Sequence, residues 1–228
     1  FDRLAERIKP FAALQFLAGS PEIYAMSMAL FFLNSLKIKW AGRTSYARLF
    51  SSLLLVNVVV AALGMVQILP TLELLRETAR YQAPSLQWSL DWSLHPASLI
   101  NLIFLDKEVD VTSFARFQFF FYRYPPLLAS LYMGSLLPFG LWAWIVSEDR
   151  KTKALLLGGI VFSLLLSMGG HTPLYGLFYD YFPFISLIRF PEKFFFIPFV
   201  LFLYVTIQGL IHLMEIREQR IFKILLGP

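Results

Sequence analysis

The sequence predicts an all-α fold: a polytopic transmembrane helical bundle with about six membrane helices, two of them short. Three observations predict it. The 228 residues are 57% hydrophobic and 15% charged, against about 25% charged in ordinary soluble domains. Four runs are long enough and charge-free enough to cross a bilayer. The basic residues gather on alternate connections between those runs. A soluble fold of this size leaves roughly 30% of its chain surface wet, which is too much for this composition. Disorder and nucleic-acid binding are excluded as first readings. With no cysteine, there is no disulfide, thiolate metal site or Cys nucleophile.

A helix needs about 20 apolar residues to cross the hydrocarbon core. Leu49–Leu72, Tyr124–Ser147, Ala154–Tyr179 and Phe194–Met214 meet that length. The third run ends early, because Gly169-Gly170-His171-Thr172-Pro173 is a poor helix interior. Pro10–Leu36 is broken by Gly19-Ser20-Pro21 and reads as two short helices meeting at an outer turn. A re-entrant hairpin remains the alternative there. The expected helices are therefore 10–19, 22–37, 47–69, 125–147, 154–169 and 194–214, with outer loops 70–124 and 170–193. Together they form one domain over 1–228. Pro138 and Pro198 fall inside spans and predict kinks. The chain opens on Phe1 and ends on Gly227-Pro228, so a piece of a longer protein is expected.

Phe1–Lys9, Lys37–Arg48, Glu148–Lys153 and Glu215–Lys223 carry thirteen basic and six acidic residues, and the rest of the chain carries seven and nine. An excess of Lys and Arg on short loops marks the cytoplasmic side. The net charge of +5 is thus mostly a topology signature, +7 inside and −2 outside.

The outer segments hold the polar candidates. Arg189 and Lys193 flank Pro191 at the mouth of the last span. Two cations there suit a lipid phosphate; the plainer reading is an anchor that snorkels to any headgroup. His171 ends a span, where it can bond a phosphate or sugar, shuttle a proton, or cap the helix. Glu73, Arg76, Glu77 and Arg80 lie on two turns beyond Leu72. They form either a self-neutralising helix or a wall with Glu73 facing a site and Arg76 beside it. Glu22 follows Pro21, where an acidic residue favours a helix start. Asp106, Glu108 and Asp110 alternate, a weak pattern for a divalent cation and more simply a solvated strand or loop. No other cofactor is called for. The mid-span polar residues Asn57, Ser163, Thr206 and Gln208 are few and neutral, which disfavours a transporter or lipid-sugar flippase. A non-catalytic assembly subunit is the third class.

Four stretches resemble one family: Leu17-Ala-Gly-Ser-Pro-Glu22, Gln67-Ile-Leu-Pro-Thr-Leu-Glu-Leu-Leu-Arg76, Gly170-His-Thr-Pro-Leu-Tyr175 and Phe184-Ile-Ser-Leu-Ile-Arg-Phe-Pro-Glu-Lys-Phe194. They look like segments of the YfhO-like bacterial membrane proteins, placed in the GT-C glycosyltransferase superfamily. Ser20 replaces the family's His, and Lys193 stands where the family often has Arg, which loses a bidentate fork but keeps the charge. The stretch around Asp106–Arg123 matches poorly. The resemblance implies a GT-C-like bundle in the bacterial cytoplasmic membrane with its active site on the outer face. The donor would be a polyprenyl-phosphate-linked sugar and the acceptor an envelope glycan or lipoteichoic-acid-like polymer. Carried over by motif, Arg189 and Lys193 would hold the donor phosphate with support from Arg76. His171, Glu73 and Glu22 would line the site. The catalytic base is expected upstream of Phe1, so this piece alone would be inactive.

Overall fold

The computed structural model describes residues 2–19, 21–40, 42, 45–77, 85–104, 128, 130–147, 149–182 and 190–226. Among these the chain is helical and contains no strand. The chain forms two compact units, Phe1–Ser89 with Leu177–Arg189, and Leu90–Gly176 with Phe190–Pro228.

The first unit is built from α1 (Asp2–Leu17), α2 (Pro21–Trp40) and α3 (Tyr46–Glu77), followed by the single turn α4 (Leu86–Ser89). Pro21 opens α2, where its missing N–H has no intrahelical role, and Glu22 lies in the first turn beside the positive helix end. Lys37 and Lys39 close the helix at its negative end. The turn before α2 needs Gly19, whose φ is +88°. Ala12 and Ala13 of α1, Tyr24 and Phe31 of α2, and Val56 and Val60 of α3 form the core of this unit. Gly64 leaves the space that the Phe16 ring fills, since a Cβ there would lie 2.6 Å from that ring. Polar side chains between the helices satisfy one another: Tyr24 Oη–H donates to Asn57 Oδ1 at 2.8 Å, and Gln15 Nε2–H donates to Ser27 Oγ at 2.9 Å.

The second unit contains a 3-10 helix at Pro96–Leu102, α5 (Leu137–Ser147), α6 (Arg150–Ser167), a 3-10 turn at Gly169–His171, a 3-10 helix at Pro191–Phe195, and α8 (Phe196–Leu226). The helix α7 (Pro173–Tyr181) follows the Gly169–His171 turn. Asp149 caps α6 by accepting from Lys151 N–H at 2.8 Å and Thr152 N–H at 3.1 Å. α5 lies along α8 at a crossing too close for side chains. A Cβ on Gly209 would collide with the Gly140 carbonyl, and one on Gly140 would lie 2.6 Å from the Thr206 methyl. Small residues permit such backbone approach between apolar helices.

Two helices are long and apolar enough to cross a membrane, Tyr46–Leu74 with 29 residues and Pro191–Ile216 with 26. Only 22% and 39% of their most apolar windows are buried. Leu54, Leu55, Val58, Leu63 and Leu69 lie exposed on α3, with Val66 at 83%. Helices that are apolar on the outside are what a lipid solvent selects.

Several boundaries differ from the expectation. Among the described residues of 125–147, Leu137–Ser147 is helical and residues 130–134 have no regular structure. Gly134 turns the chain with φ +105°, and Met133 N–H donates to Leu102 O. Pro138 is the second residue of α5 and Pro198 the third of α8. Pro138 therefore lies in a first turn, where a missing N–H costs nothing, rather than at a mid-span kink, whereas Pro198 lies within the apolar span Pro191–Ile216, as expected. Proline does occupy an interior position in α3: Pro70 is inside a helix that continues to Glu77, so residues 70–77 are not loop. Thr71 Oγ1–H donates to Gln67 O at 2.7 Å beside the break. The segment 170–193, expected as an outer loop, likewise contains α7. The short helices expected over 10–19 and 22–37 run longer, as α1 and α2.

Candidate functional site

Three segments of the second unit meet at a junction made by backbone. Leu94 N–H donates to Ser167 O at 2.9 Å, and Glu192 N–H donates to Trp92 O at 3.1 Å. Ser93 Oγ–H donates to Leu90 O at 2.6 Å while the same oxygen accepts from Gly170 N–H at 3.0 Å. The segment 90–95 is thus held between the end of α6 and the start of the last long helix. Gly169, with φ +46°, packs so closely on Ser93 Oγ and the Pro191 ring that no Cβ fits. Trp92 and Phe190, both at positive φ, set their rings edge-on at 4.1 Å. Bulky residues hold that conformation at a cost of about 1–3 kcal/mol each, so the surrounding bonds over-determine this turn.

The junction encloses two carboxylates. Glu192 is 1% exposed and Asp91 3%. A Glu192 carboxylate oxygen accepts from Leu128 N–H at 3.2 Å, tying a further stretch of chain to the same point. Next to it, the Lys193 Nζ stands 5.4 Å from the centre of the Phe190 ring, within cation–π range. The backbone N–H groups of 192 and 193 are already bonded to Trp92 O and Phe190 O. Any anion at this helix start must therefore be held by side chains.

At the outer rim His95 and His171 place their rings edge-on, 4.8 Å apart. His95 Nδ1 accepts from Ala97 N–H at 3.1 Å and caps the 3-10 helix Pro96–Leu102. His171 is held below the usual imidazole range, first by partial burial and second by the charge His95 would carry. Behind it the fully buried Tyr175 faces Phe194 at 6.4 Å. Neutral imidazoles, a lysine and aromatic faces can together bond a phosphate or a sugar hydroxyl and stack on a sugar ring.

No family model matches this chain, and no curated protein or solved structure matches it.

Of the residues singled out by sequence, His171 and Lys193 come together on this junction. Glu22 and Glu73 belong to the other unit. There Gly19 approaches Gln67, with a Cβ on Gly19 falling 3.8 Å from Gln67 Nε2. Glu73 lies six residues beyond Gln67 on α3, about 9 Å along the axis, and is exposed. Glu22 is half-buried. Arg76 is placed by its backbone on α3. Arg189, Arg80, Asp106, Glu108 and Asp110 lie outside the described residues. Among the described residues no three His, Asp or Glu side chains are grouped to hold a metal ion.

Asp91, Ser93, His95 and Glu192 were not singled out by sequence. His95-Pro96 carried a readable signal, a polar residue before a proline at a helix start. Glu192 carried another, an acidic residue directly after Pro191 at a helix start. Asp91 and Ser93 carried none, because only the fold brings residue 93 to residue 170.

Proposed function

We propose that this chain is part of an integral membrane glycosyltransferase of GT-C type. It would move a sugar from a polyprenyl-phosphate-linked donor to an envelope glycan or lipoteichoic-acid-like acceptor on the outer face of the bacterial cytoplasmic membrane. One observation carries the reading: Gly170-His-Thr-Pro-Leu-Tyr175 and Pro191-Glu-Lys193, far apart in sequence, form one junction at the start of a 26-residue apolar helix. The other two motifs, around Gly19 and Gln67, also meet each other. In this reading six helices cross the membrane: α1, α2, α3, the 125–147 region ending in α5, α6, and the helix from Pro191. Lys37–Arg48 and Glu148–Lys153 then face the cytoplasm.

The reaction sets the roles. A carboxylate base removes the acceptor hydroxyl proton, and the hydroxyl oxygen bonds to the anomeric carbon. The bond from that carbon to the donor phosphate oxygen breaks, and its electron pair stays on the phosphate. That growing charge needs cations placed beforehand, the role given to Lys193, with His171 on the same junction. Arg189, Arg76, Glu73 and Glu22 belong to the first unit, and their roles are those the resemblance implies. A flippase would want charges at mid-membrane, whereas Asn57 and Ser163 are bonded within the protein, to Tyr24 and Leu53 and to Gly159.

The test is Arg189→Ala with Lys193→Ala in the full-length protein, measuring glycan transfer and membrane insertion. Insertion unchanged with transfer lost by about 100-fold or more is expected for removed transition-state donors. Transfer at the original rate would refute the phosphate role and favour an assembly subunit.

A further inference from the structure

His95 caps a helix with an imidazole. Its Nδ1 accepts from Ala97 N–H, and a ring nitrogen that accepts a hydrogen bond carries no proton. The cap exists only while His95 is neutral, with its proton on Nε2. Protonation turns the bond into two donors facing each other. The neighbouring ring is His171, 4.8 Å away, so charging both rings sets two cations side by side. The two histidines also occupy matching places in the junction. His95 follows Leu94, whose N–H is bonded to Ser167 O, and His171 follows Gly170, whose N–H is bonded to Ser93 Oγ.

We propose that the His95–His171 pair is an acid-sensitive latch: the neutral rings keep Pro96–Leu102 capped and joined to the turn after α6, and protonation releases that helix. What it frees reaches further, because Leu102 O accepts from Met133 N–H, one residue before the Gly134 turn that leads into α5. Among the described residues, the charged and titratable groups on the elements around the pair are Asp91 on the same segment, Glu192 and Lys193 before α8, Tyr175, Tyr179, Asp180 and Tyr181 on α7, and Tyr132 beside Met133. His171 adds a sign that agrees with the cap. Its pKa is lowered from 6.5 by burial and by His95. The open form therefore binds more protons, and the closed form loses stability as pH falls below about 6.5. The latch shares His171 with the proposed transfer site but does not rest on that reading.

The experiment is hydrogen exchange by mass spectrometry on the whole chain in detergent micelles, comparing protection factors for residues 94–104 at pH 7.5 and pH 5. Wild type is expected to lose tenfold or more of its protection at pH 5. His95→Asn keeps an uncharged acceptor at the cap and should stay protected at both pH values, while His95→Ala should be open at both. Wild-type protection that does not change with pH would overturn the latch, as would a His95→Asn protein that opens like wild type. His171→Phe keeps a ring without a charge and should lose less protection at pH 5, because no second cation forms beside the cap. A loss equal to wild type would remove His171 from the latch.

Discussion

Glu192 joins three stretches of chain through two bonds: its N–H to Trp92 O and its carboxylate to Leu128 N–H. Replacing it with Ala strips the half-buried Leu128 N–H of its acceptor and empties a buried site, and losses of this kind run to about 3 kcal/mol. Thermal melting in detergent should fall by roughly 6–12 °C for Glu192→Ala. Glu192→Gln, which keeps a carbonyl acceptor, should recover most of it. Equal melting of Ala and wild type would show that Leu128 is held by other bonds. Gly169 makes a second prediction at this scale. Gly169→Ala adds about 1–2 kcal/mol for the left-handed backbone and pushes Ser93 and Pro191 apart. Its melting loss should therefore exceed that of Gly158→Ala, which has open space around the same position.

At the scale of elements, the α5–α8 crossing rests on two glycines. Gly209→Leu should force the helices apart, read by cysteine pairs placed across the crossing. The parent chain has no cysteine, so each engineered pair reports alone. Pairs that oxidise readily in the parent and no less readily in Gly209→Leu would contradict the close approach. The helices themselves were legible in sequence wherever periodicity or hydropathy acted locally. α3, α6 and α8 fall on the long charge-free runs, and the break at Gly19 was visible from its neighbours. Pro138 misled because a proline's meaning depends on its distance from the helix start. It lies in a first turn, and nothing local says that residues 130–134 lack helix and meet Leu102. The site divides in the same way. Lys193 and His171 stood out by charge and position. Ser93 and Trp92 matter only through partners some 75 to 100 residues away in sequence.

For the whole molecule, the charge asymmetry makes a prediction about sidedness. Single cysteines at Ser45 and Asp149 should react with an impermeant thiol reagent only from the cytoplasmic side, and at Thr172 only from the outside. Labelling of Ser45 and Thr172 from the same side would break the proposed alternation of spans. The two long apolar helices belong to different units, α3 to the first and the Pro191–Ile216 helix to the second. Each unit therefore carries its own membrane-length helix.

The pairing of α5 with the last helix also sets what a bilayer would meet. The 11 residues of α5 rise about 16 Å, while the 26 residues from Pro191 to Ile216 reach nearly 40 Å, against a hydrocarbon layer of about 30 Å. In the proposed membrane setting the last helix is about 10 Å longer than the hydrocarbon layer, so it tilts or stretches the lipid beside it, at fractions of a kcal/mol per Å.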